Sequence, residues 1–305
     1  MNESVFSLRR EELFHSGHPL CPGCSGGVMM RWIGKALGKE TIATISASCI
    51  AISTSVYPTS LEMPCLYISM ASSPAGITGV SAALRILKRK NRFPRDRKVN
   101  VIAIAGDGSA GDIGMSSLSG AAERNDDGIF FCFDNEAYMN TGIQRSGTTP
   151  QNSWTTSTPD GKTERKKDLP LIMAAHHVPY VATASIAFPD DFYKKVIRAR
   201  DMGPGFKYIH VYSPCPTGWR FPEGKTVDIA RLGVETGYWM LYEVDQGRFR
   251  PTYLPEKRRP VNEFFRSQRR FSKMKEEQIK KYQENIDKKL LSVKTQSKGN
   301  DFFIF

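Results

Sequence analysis

The fold is indicated most clearly by Val99-Asn100-Val101-Ile102-Ala103-Ile104-Ala105-Gly106-Asp107-Gly108, an almost unbroken apolar stretch that ends in a carboxylate between two glycines. A run of this kind predicts a strand buried on both faces, as in the middle of a parallel sheet. A second apolar run, 128–133, leads into Asp134-Asn135. Because the sites of α/β proteins collect where parallel strands end, both polar segments are candidates for one site.

Strand and helix patterns alternate along much of the chain. Strands are predicted at 41–45, 66–70, 180–184 and 207–212, and helices at 77–90, 116–123, 169–175, 190–200 and 229–236. The alternation predicts an α/β fold with a doubly wound, mainly parallel sheet and right-handed crossovers. Residues 152–167 are rich in Ser, Thr and Lys without periodicity, which predicts a long loop of the kind that is often functional.

The character of the chain changes after Trp219. Residues 239–244 and 248–253 are predicted to form a hairpin, and 261–271 and 274–290 to form polar amphipathic helices. Their apolar content is too small for a separate core. We therefore interpret residues 1–244 as one α/β domain, and residues 245–305 as a helical C-terminal arm that packs on this domain or on a partner subunit.

Composition limits the class of protein. The 305 residues include six cysteines, far fewer than a disulfide scaffold needs, and no secretory segment follows Met1, so we expect reduced thiols and a cytoplasmic location. No apolar run approaches the roughly 20 residues of a membrane span. The formal net charge of +12 is concentrated in 85–97, 162–167 and 248–298. Without a nucleic-acid-binding motif, these segments are interpreted as solvated helix faces and a basic tail, with attraction of an acidic protein as the alternative.

Four cysteines stand in segments that can bind a metal: Cys21, Cys24, Cys49 and Cys215. The first two form a C-x-x-C whose Pro22-Gly23 turn can aim both sulfurs inward, and the other two follow predicted strand ends. Four thiolates suit Zn²⁺ and an iron–sulfur cluster equally well, so the pattern leaves the metal open. Cys65 and Cys132 are interpreted as small buried hydrophobes.

Asp107 is a candidate ligand for Mg²⁺ beside a phosphate. Glycines let the backbone approach a phosphate closely, and the helix that follows offers free N–H groups. Asn135 can supply a side-chain oxygen to the same ion, and Mg²⁺ held by few protein oxygens is usual for a diphosphate ligand. An ordinary Asp/Asn turn is the alternative. The chain has neither a G-x-G-x-x-G fingerprint nor a Walker loop, which disfavours a nucleotide.

Several motifs together are typical of one family. They are Gly-His-x-x-Cys-x-Gly-Cys at 17–24, Cys49, Gly106-Asp107-Gly108 with Asp112-Ile113-Gly114, the run from Asp134 to Gln144, Tyr180-Val181-Ala182-Thr183-Ala184-Ser185, and Cys215-Pro216-Thr217-Gly218-Trp219. Over about residues 15–271, the chain resembles the β subunit of the 2-oxoacid:ferredoxin oxidoreductases, of the pyruvate:ferredoxin type. The resemblance implies that the domain at 1–244 has a thiamine-diphosphate-binding fold and also carries a [4Fe–4S] cluster.

The resemblance also implies which residues form the site. The cluster ligands would be Cys21, Cys24, Cys49 and Cys215, and the Mg²⁺ ligands Asp107, Asn135 and the carbonyl of Ala137. The diphosphate would be covered by Gly106, Asp107, Gly108 and Ser109. The rest of the cofactor would be lined by Cys49, Asn135, Glu136, Ala137, Tyr138, Met139 and Asn140. Asn140 would be the catalytic residue, near the reactive carbon and the substrate.

The activity implied is oxidative decarboxylation of a 2-oxoacid. Electrons would pass through the cluster to ferredoxin or a similar acidic carrier, with coenzyme A as the usual acyl acceptor. In this family another subunit, of the α, γ or δ type, supplies the Glu that activates the cofactor, so this chain is expected to be an incomplete enzyme. Departures at Tyr67, at Met70-Ala71-Ser72 and at Ser109-Ala110-Gly111 leave pyruvate, oxalate, phenylglyoxylate and a branched-chain acid as possible substrates.

Two alternative functions are kept open. A non-redox thiamine-diphosphate lyase or decarboxylase subunit would have the cofactor with a structural zinc in place of the cluster. A non-enzymatic basic scaffold would hold the cluster and bind no thiamine diphosphate.

Overall fold

A nine-stranded sheet forms the centre of the structure, a computed structural model that describes residues 11–296 and 302–303. Its strands are β1 (Thr41–Ser46), β2 (Cys65–Ile68), β3 (Asn100–Gly106), β4 (Gly128–Asp134), β5 (Tyr180–Ser185), β6 (Phe206–Tyr212), β7 (Leu241–Asp245), β8 (Arg248–Tyr253) and β9 (Phe302–Phe303). Their order is β2-β1-β3-β4-β6-β5-β7-β8-β9. The strands from β2 to β5 in this order are parallel, and β7, β8 and β9 add antiparallel. The predicted mainly parallel sheet is confirmed.

Helices cover both faces of this sheet. They are α1 (Ser25–Leu37), α2 (Cys49–Ser55), α3 (Ser73–Arg89), α4 (Met115–Glu123), α5 (Leu169–Ala175), α6 (Pro189–Asp201), α7 (Pro216–Trp219), α8 (Thr226–Glu235), α9 (Val261–Arg266) and α10 (Glu276–Gln296). In β3, Val101 and Ala103 belong to one core, while Ile102 and Ile104 belong to the other. Side chains alternate across a strand, so an unbroken apolar strand needs cover on both faces. α1 and α6 supply it on one face, and α3, α4 and α5 on the other.

The carboxyl ends of β1, β3, β4 and β6 lie side by side, because these strands are neighbours in the sheet. β2 lies on one side of β1 and β3 lies on the other, so the strand order reverses between β1 and β3. This place between β1 and β3 is a topological switch point of the sheet. Ligands of open α/β sheets bind in the crevice at such a point. The segments after the four strands carry Cys49, Asp107, Asn135 and Cys215.

Several elements differ from the predictions. α1, α2 and α7 have no counterpart among the predicted helices, and β2 ends at Ile68, before a 3-10 turn at Met70–Ser72. The predicted helix at 261–271 is divided into α9 and a 3-10 turn at Arg269–Phe271, because Gln268 between them is extended, with φ −146°. The Gln268 amide donates to the main-chain oxygen of Phe264 at 2.9 Å, and its oxygen accepts from Nε of Arg270 at 2.6 Å. The break turns Arg270 inward.

The sheet continues past the predicted domain boundary at 244. β7 pairs with β5 and β8 with β7, so the predicted hairpin extends the central sheet. The segment 261–296, called the helical arm below, then packs on the same domain through Val261, Phe264, Phe265, Phe271, Ile279, Ile286, Leu290 and Val293. It also contacts the long loop, since Tyr282 donates its hydroxyl to the main-chain oxygen of Gln151 at 2.9 Å. Among the helices of residues 11–296, none has the length and apolar character that a membrane crossing requires.

Candidate cofactor and metal site

Three oxygen atoms converge at the carboxyl ends of β3 and β4. The side-chain amide of Asn135 reaches Oδ1 of Asp107 at 3.1 Å and the main-chain oxygen of Ala137 at 2.7 Å, and with its NH2 group turned toward them it donates to both. With its oxygen turned toward them instead, and Asp107 ionised, none of the three atoms brings a proton. That orientation is suited to a cation among the three oxygens. Carboxylate, amide and carbonyl oxygens are the hard ligands that suit Mg²⁺.

Asp107 is held by two hydroxyl groups from the segment between β4 and the predicted long loop. The residue is 1% exposed, and its Oδ2 accepts from Oγ of Ser146 at 2.5 Å and from Oγ1 of Thr148 at 2.7 Å. Burial, and next the negative charge of Asp134, raise the pKa of Asp107 well above its usual range. A nearby cation would favour the ionised form and oppose this shift. The two hydroxyls occupy Oδ2 and leave Oδ1 facing Asn135.

A buried ionic network around Asp134 lies beside Asp107. Oδ2 of Asp134 lies 2.8 Å from Nζ of Lys166 and 2.8 Å from Nε2 of His210. Burial favours the neutral acid, but Lys166 and His210 outweigh it and lower the pKa of Asp134. Burial likewise disfavours the charged form of Lys166, but the carboxylates of Asp134 and Glu136 outweigh it and raise the pKa of Lys166. Asp134 therefore stays ionised, and Asp107 is the carboxyl that takes up a proton or a cation.

Glu136 supports the loop and does not line the cavity. Its backbone has φ +63°, in the left-handed region that costs free energy for any residue but glycine. Its buried carboxylate accepts from Lys166 at 2.6 Å, from Tyr238 at 2.9 Å and from Arg270 at 2.6 Å. These three donors occupy the carboxylate, and the prediction that Glu136 lines the cofactor stays a prediction.

A cavity opens next to the three oxygens. Its walls include all the predicted cofactor residues except Glu136 and Ser109, namely Cys49, Gly106, Asp107, Gly108, Asn135, Ala137, Tyr138, Met139 and Asn140. Ser109 lies outside, because its hydroxyl donates to the main-chain oxygen of Met70 at 2.5 Å. A Cβ added to Gly106 would meet no atom within 4 Å, so the space above it is open. A Cβ on Gly108 would lie 2.3 Å from the Tyr138 ring, so that contact requires glycine.

Three of the four predicted metal-binding cysteines stand at helix N-termini. Cys24 caps α1, Cys49 is the first residue of α2, and Cys215 caps α7. The sulfurs of Cys24 and Cys215 each accept a main-chain N–H at 3.4 Å. Such N–H groups favour a negatively charged sulfur. The turn between Cys21 and Cys24 is held by Thr226, whose hydroxyl donates to the main-chain oxygen of Gly23 at 2.6 Å.

The four thiols are close enough to affect one another. Burial, and next the thiols of Cys24 and Cys21, raise the pKa of Cys49 to about 11. Burial raises the pKa of Cys215 to about 12, and the other three thiols add to this shift. In the described part of the chain, no three His, Cys, Asp or Glu side chains form a group that could hold a single metal ion.

The thiols and the cofactor cavity share a wall. Cys49 lines the cavity, and so does Met139. Met139 also packs against Gly218, because a Cβ added to Gly218 would lie 2.1 Å from the sulfur of Met139. Trp219 of α7 donates Nε1–H to the main-chain oxygen of Asn135 at 2.8 Å. The segment after β6 therefore packs directly on the loop after β4. Cys132, by contrast, is fully buried in β4, as its apolar context predicts.

Several residues of the site have no motif in the sequence: Ser146, Thr148, Lys166, His210 and Arg270. Only Lys166 lies in the segment 152–167 that is predicted as a long loop, and the length of that loop is the one signal that points to it. The charge at 162–167 was expected to be solvated, but Lys162 is 1% exposed and the side chain of Lys166 is 26% exposed. Both ammonium groups have buried partners: Lys162 donates to main-chain oxygens, and Lys166 neutralises the carboxylates of Asp134 and Glu136.

Known proteins resemble this chain along most of its length. Residues 47–211 match the family model for thiamine pyrophosphate enzyme, C-terminal TPP binding domain. The chain is 49% identical to pyruvate synthase subunit PorB of Methanothermobacter marburgensis, over 92% of this chain and 96% of that protein. It is 41% identical to ketoisovalerate oxidoreductase subunit VorB of Pyrococcus abyssi, over 90% of this chain and 89% of that protein.

A solved structure has the same fold. The 2-oxoglutarate:ferredoxin oxidoreductase from Magnetococcus marinus superposes with a TM-score of 0.57, over 75% of this chain and 83% of that chain, at 20% identity. Identity this low shows the fold alone, whereas the identities to the curated subunits show the family. The chain therefore belongs to the thiamine-diphosphate-dependent 2-oxoacid:ferredoxin oxidoreductases, as a β subunit of the pyruvate:ferredoxin oxidoreductase type.

Proposed function

We propose that this chain carries Mg²⁺ and a [4Fe–4S] cluster beside thiamine diphosphate, and that its complex oxidatively decarboxylates pyruvate. The observation that carries the proposal is the trio of oxygens from Asp107, Asn135 and Ala137, which borders a cavity whose wall includes Cys49. Hard oxygen ligands and a soft thiol therefore line the same cavity. This pairing suits a metal-bound diphosphate cofactor that passes electrons to an iron–sulfur cluster.

The residues fit the Mg²⁺-diphosphate group. With the Asn135 amide oxygen turned toward Asp107 and Ala137, the three oxygens would be the protein ligands of Mg²⁺. The open space above Gly106 leaves room for a diphosphate against the main chain after β3. The network of Asp134 and Lys166 would keep the loop after β4 in place when the cation binds.

A [4Fe–4S] cluster is proposed in preference to a structural zinc because the chain belongs to an oxidoreductase family whose structural neighbour is ferredoxin-linked. In such a cluster each of Cys21, Cys24, Cys49 and Cys215 would bind a different iron.

When bound, thiamine diphosphate supplies the electron sink that decarboxylation of a 2-oxoacid requires. The chain's own part is to anchor the diphosphate through Asp107, to keep Cys49 beside the cavity and to present Asn140 to the substrate. The Asn140 side chain is exposed and has no hydrogen bond within the described residues. Its amide can therefore donate to an oxygen of a 2-oxoacid, which is the catalytic role we propose for it.

Another subunit is proposed to complete the site. Asp107 is the one carboxylate among the described residues that line the cavity, so the Glu that activates the cofactor is assigned to a partner chain. Exposed apolar side chains flank the elements that border the cavity: Val56 is 48% exposed, Tyr57 94%, Leu66 51% and Ile113 58%. Exposed apolar patches of this kind mark protein contacts.

Pyruvate is proposed as the substrate because the relatives at 46–49% identity are pyruvate synthase subunits, whereas at 41% a pyruvate synthase subunit and a ketoisovalerate oxidoreductase subunit match equally. The test is turnover of a panel of 2-oxoacids by the native complex with a dye acceptor, with and without coenzyme A. We expect kcat/KM for pyruvate to exceed that for the branched-chain acid by about tenfold or more, the usual effect of extra methyl groups in a pocket. Turnover of oxalate without coenzyme A, or preference for a branched-chain acid, would contradict the assignment of pyruvate.

The same purified complex separates the two alternative functions. A non-redox lyase subunit would contain thiamine diphosphate and zinc without the visible absorbance of an iron–sulfur cluster. A cluster scaffold would contain iron without thiamine diphosphate. A cytoplasmic location stays a prediction.

The positive net charge is proposed to steer an acidic electron carrier such as ferredoxin to the complex. Exposed charges more than about 8 Å apart are screened at physiological salt, so the benefit belongs to the association rate. We expect the second-order rate of carrier reduction to fall strongly between roughly 20 and 500 mM salt. A rate that stays constant over this range would refute steering.

A matched variant tests whether the helical arm provides that surface. Lys273, Lys275, Lys280 and Lys281 are exposed, and neutralising all four would remove much of the charge of the arm. If the arm is the docking surface, the salt dependence becomes shallower in the variant. An unchanged slope would assign these lysines to contact with a sister subunit.

A further inference from the structure

Arg270 is a buried cation that the helical arm inserts next to the predicted Mg²⁺ loop. It is 2% exposed, and its Nη2 donates to Oε2 of Glu136 at 2.6 Å. Its guanidinium carbon lies 3.6 Å from the centroid of the Trp219 ring, a stacking geometry that favours arginine. The extended Gln268 accepts from its Nε at 2.6 Å and fixes the direction of the side chain.

Both contacts of Arg270 lead to the site. Glu136 stands between Asn135, whose side chain lies 3.1 Å from Oδ1 of Asp107, and Ala137, whose main-chain oxygen lies 2.7 Å from that side chain. Trp219, on which the guanidinium stacks, donates to the main-chain oxygen of Asn135 at 2.8 Å and ends the α7 turn that Cys215 caps. One side chain of the arm thus touches the loop after β4 and the turn after β6.

The loop needs external support, because Glu136 adopts φ +63°. A non-glycine residue persists in this region when surrounding contacts over-determine it. Lys166, Tyr238 and Arg270 supply those contacts, and the first two come from the domain itself. Removing Arg270 would leave the buried carboxylate of Glu136 with one cation fewer. The loss of this contact would favour relaxation of the loop away from the positive φ of Glu136.

We propose that Arg270 is a positioning residue for the metal-diphosphate site, through which the helical arm sets the geometry of the Asn135 and Ala137 oxygens. The inference rests on the proposed Mg²⁺ ligands. It assigns to the arm a role in cofactor binding in addition to its packing on the domain. Partners of metal ligands typically change metal affinity by about 10–100-fold when they are mutated.

The test measures binding of thiamine diphosphate and Mg²⁺ to the cofactor-stripped complex by titration, with iron content and Tm as parallel readouts. We expect Arg270→Met to weaken cofactor affinity about 10–100-fold while the iron content stays that of the wild type. Arg270→Lys should recover little of the loss, because an ammonium group reproduces neither the planar fork nor the stacking on Trp219. Full recovery with lysine would show that charge alone matters and would overturn the positioning role.

Two control variants separate positioning from general loosening of the arm. Arg266→Met removes the exposed ion pair with Glu276 in the same arm and should leave affinity unchanged. Ile279→Ala loosens the packing of α10 on the core at a buried side chain of the same arm. If Ile279→Ala weakens cofactor binding as much as Arg270→Met at an equal loss of Tm, the proposal is wrong.

A double variant keeps the test decisive if Arg270→Met fails to assemble. Arg270→Met combined with Glu136→Gln removes both the guanidinium and the carboxylate of this buried ion pair. The loss of Arg270 then leaves no uncompensated charge on Glu136. We expect the double variant to assemble and still bind the cofactor weakly. Wild-type affinity in the double variant would overturn the inference. Failure of the wild-type complex itself to bind Mg²⁺ with thiamine diphosphate would refute the proposed function instead.

Discussion

Asp107→Asn is expected to weaken binding of thiamine diphosphate with Mg²⁺ by on the order of a hundredfold or more, which corresponds to several kcal/mol. The amide keeps the shape of the side chain, so the hydroxyls of Ser146 and Thr148 retain a partner. What is lost is the negative charge that a small, hard dication requires in a buried site. Titration of the cofactor-stripped complex with thiamine diphosphate at fixed Mg²⁺ measures the loss.

Asp126→Asn is the matched control for this experiment. Oδ2 of Asp126 accepts from Oγ1 of Thr78 at 2.6 Å and pairs with Arg124 at 2.9 Å. Asp126 precedes the start of β4, whereas the cavity lies at the other end of that strand. The control should bind the cofactor like the wild type. Unchanged affinity in Asp107→Asn would mean that the glycine-flanked carboxylate serves another purpose than holding the cation.

The parallel part of the fold could be predicted because its signal is local. β3 and β4 are apolar on both faces, and each is followed within two residues by its functional side chain. α1 has a weaker signal: Met29, Met30 and Ile33 recur at helical spacing, but Gly26, Gly27 and Gly34 interrupt them. Glycine is a poor helix former, so propensity opposes a helix that tertiary packing stabilises.

The support of the site could not be predicted, because it is assembled from distant segments. The hydroxyls that hold Asp107 come from positions 39 and 41 residues away, and Arg270 lies 134 residues from Glu136. None of these partners belongs to a periodic pattern. The positive φ of Glu136 is equally invisible in the sequence, since a glutamate predicts the opposite region. Motifs thus identify the groups that face a ligand, while the groups that orient them require the fold.

Replacing Cys21, Cys24, Cys49 or Cys215 by serine is expected to lower the iron content by about four ions per copy of this chain, the content of one [4Fe–4S] cluster. Loss of the cluster removes the route for electrons, so turnover with a one-electron acceptor should be lost as well. The physical reason is that serine offers a hard, poorly ionised oxygen where a soft thiolate is needed. Iron analysis and the EPR spectrum of the reduced complex measure the result.

Cys65→Ser and Cys132→Ala provide the controls, and alanine is chosen at Cys132 because that residue is fully buried in β4. Both controls should keep full iron. Full iron after Cys215→Ser, or loss of the cluster in Cys132→Ala alone, would contradict the ligand assignment. Cys215→Ser is the most informative single variant, because Cys215 lies beside the loop that Trp219 ties to Asn135. Loss of iron with retained affinity for thiamine diphosphate would show that the two groups share a wall but bind independently.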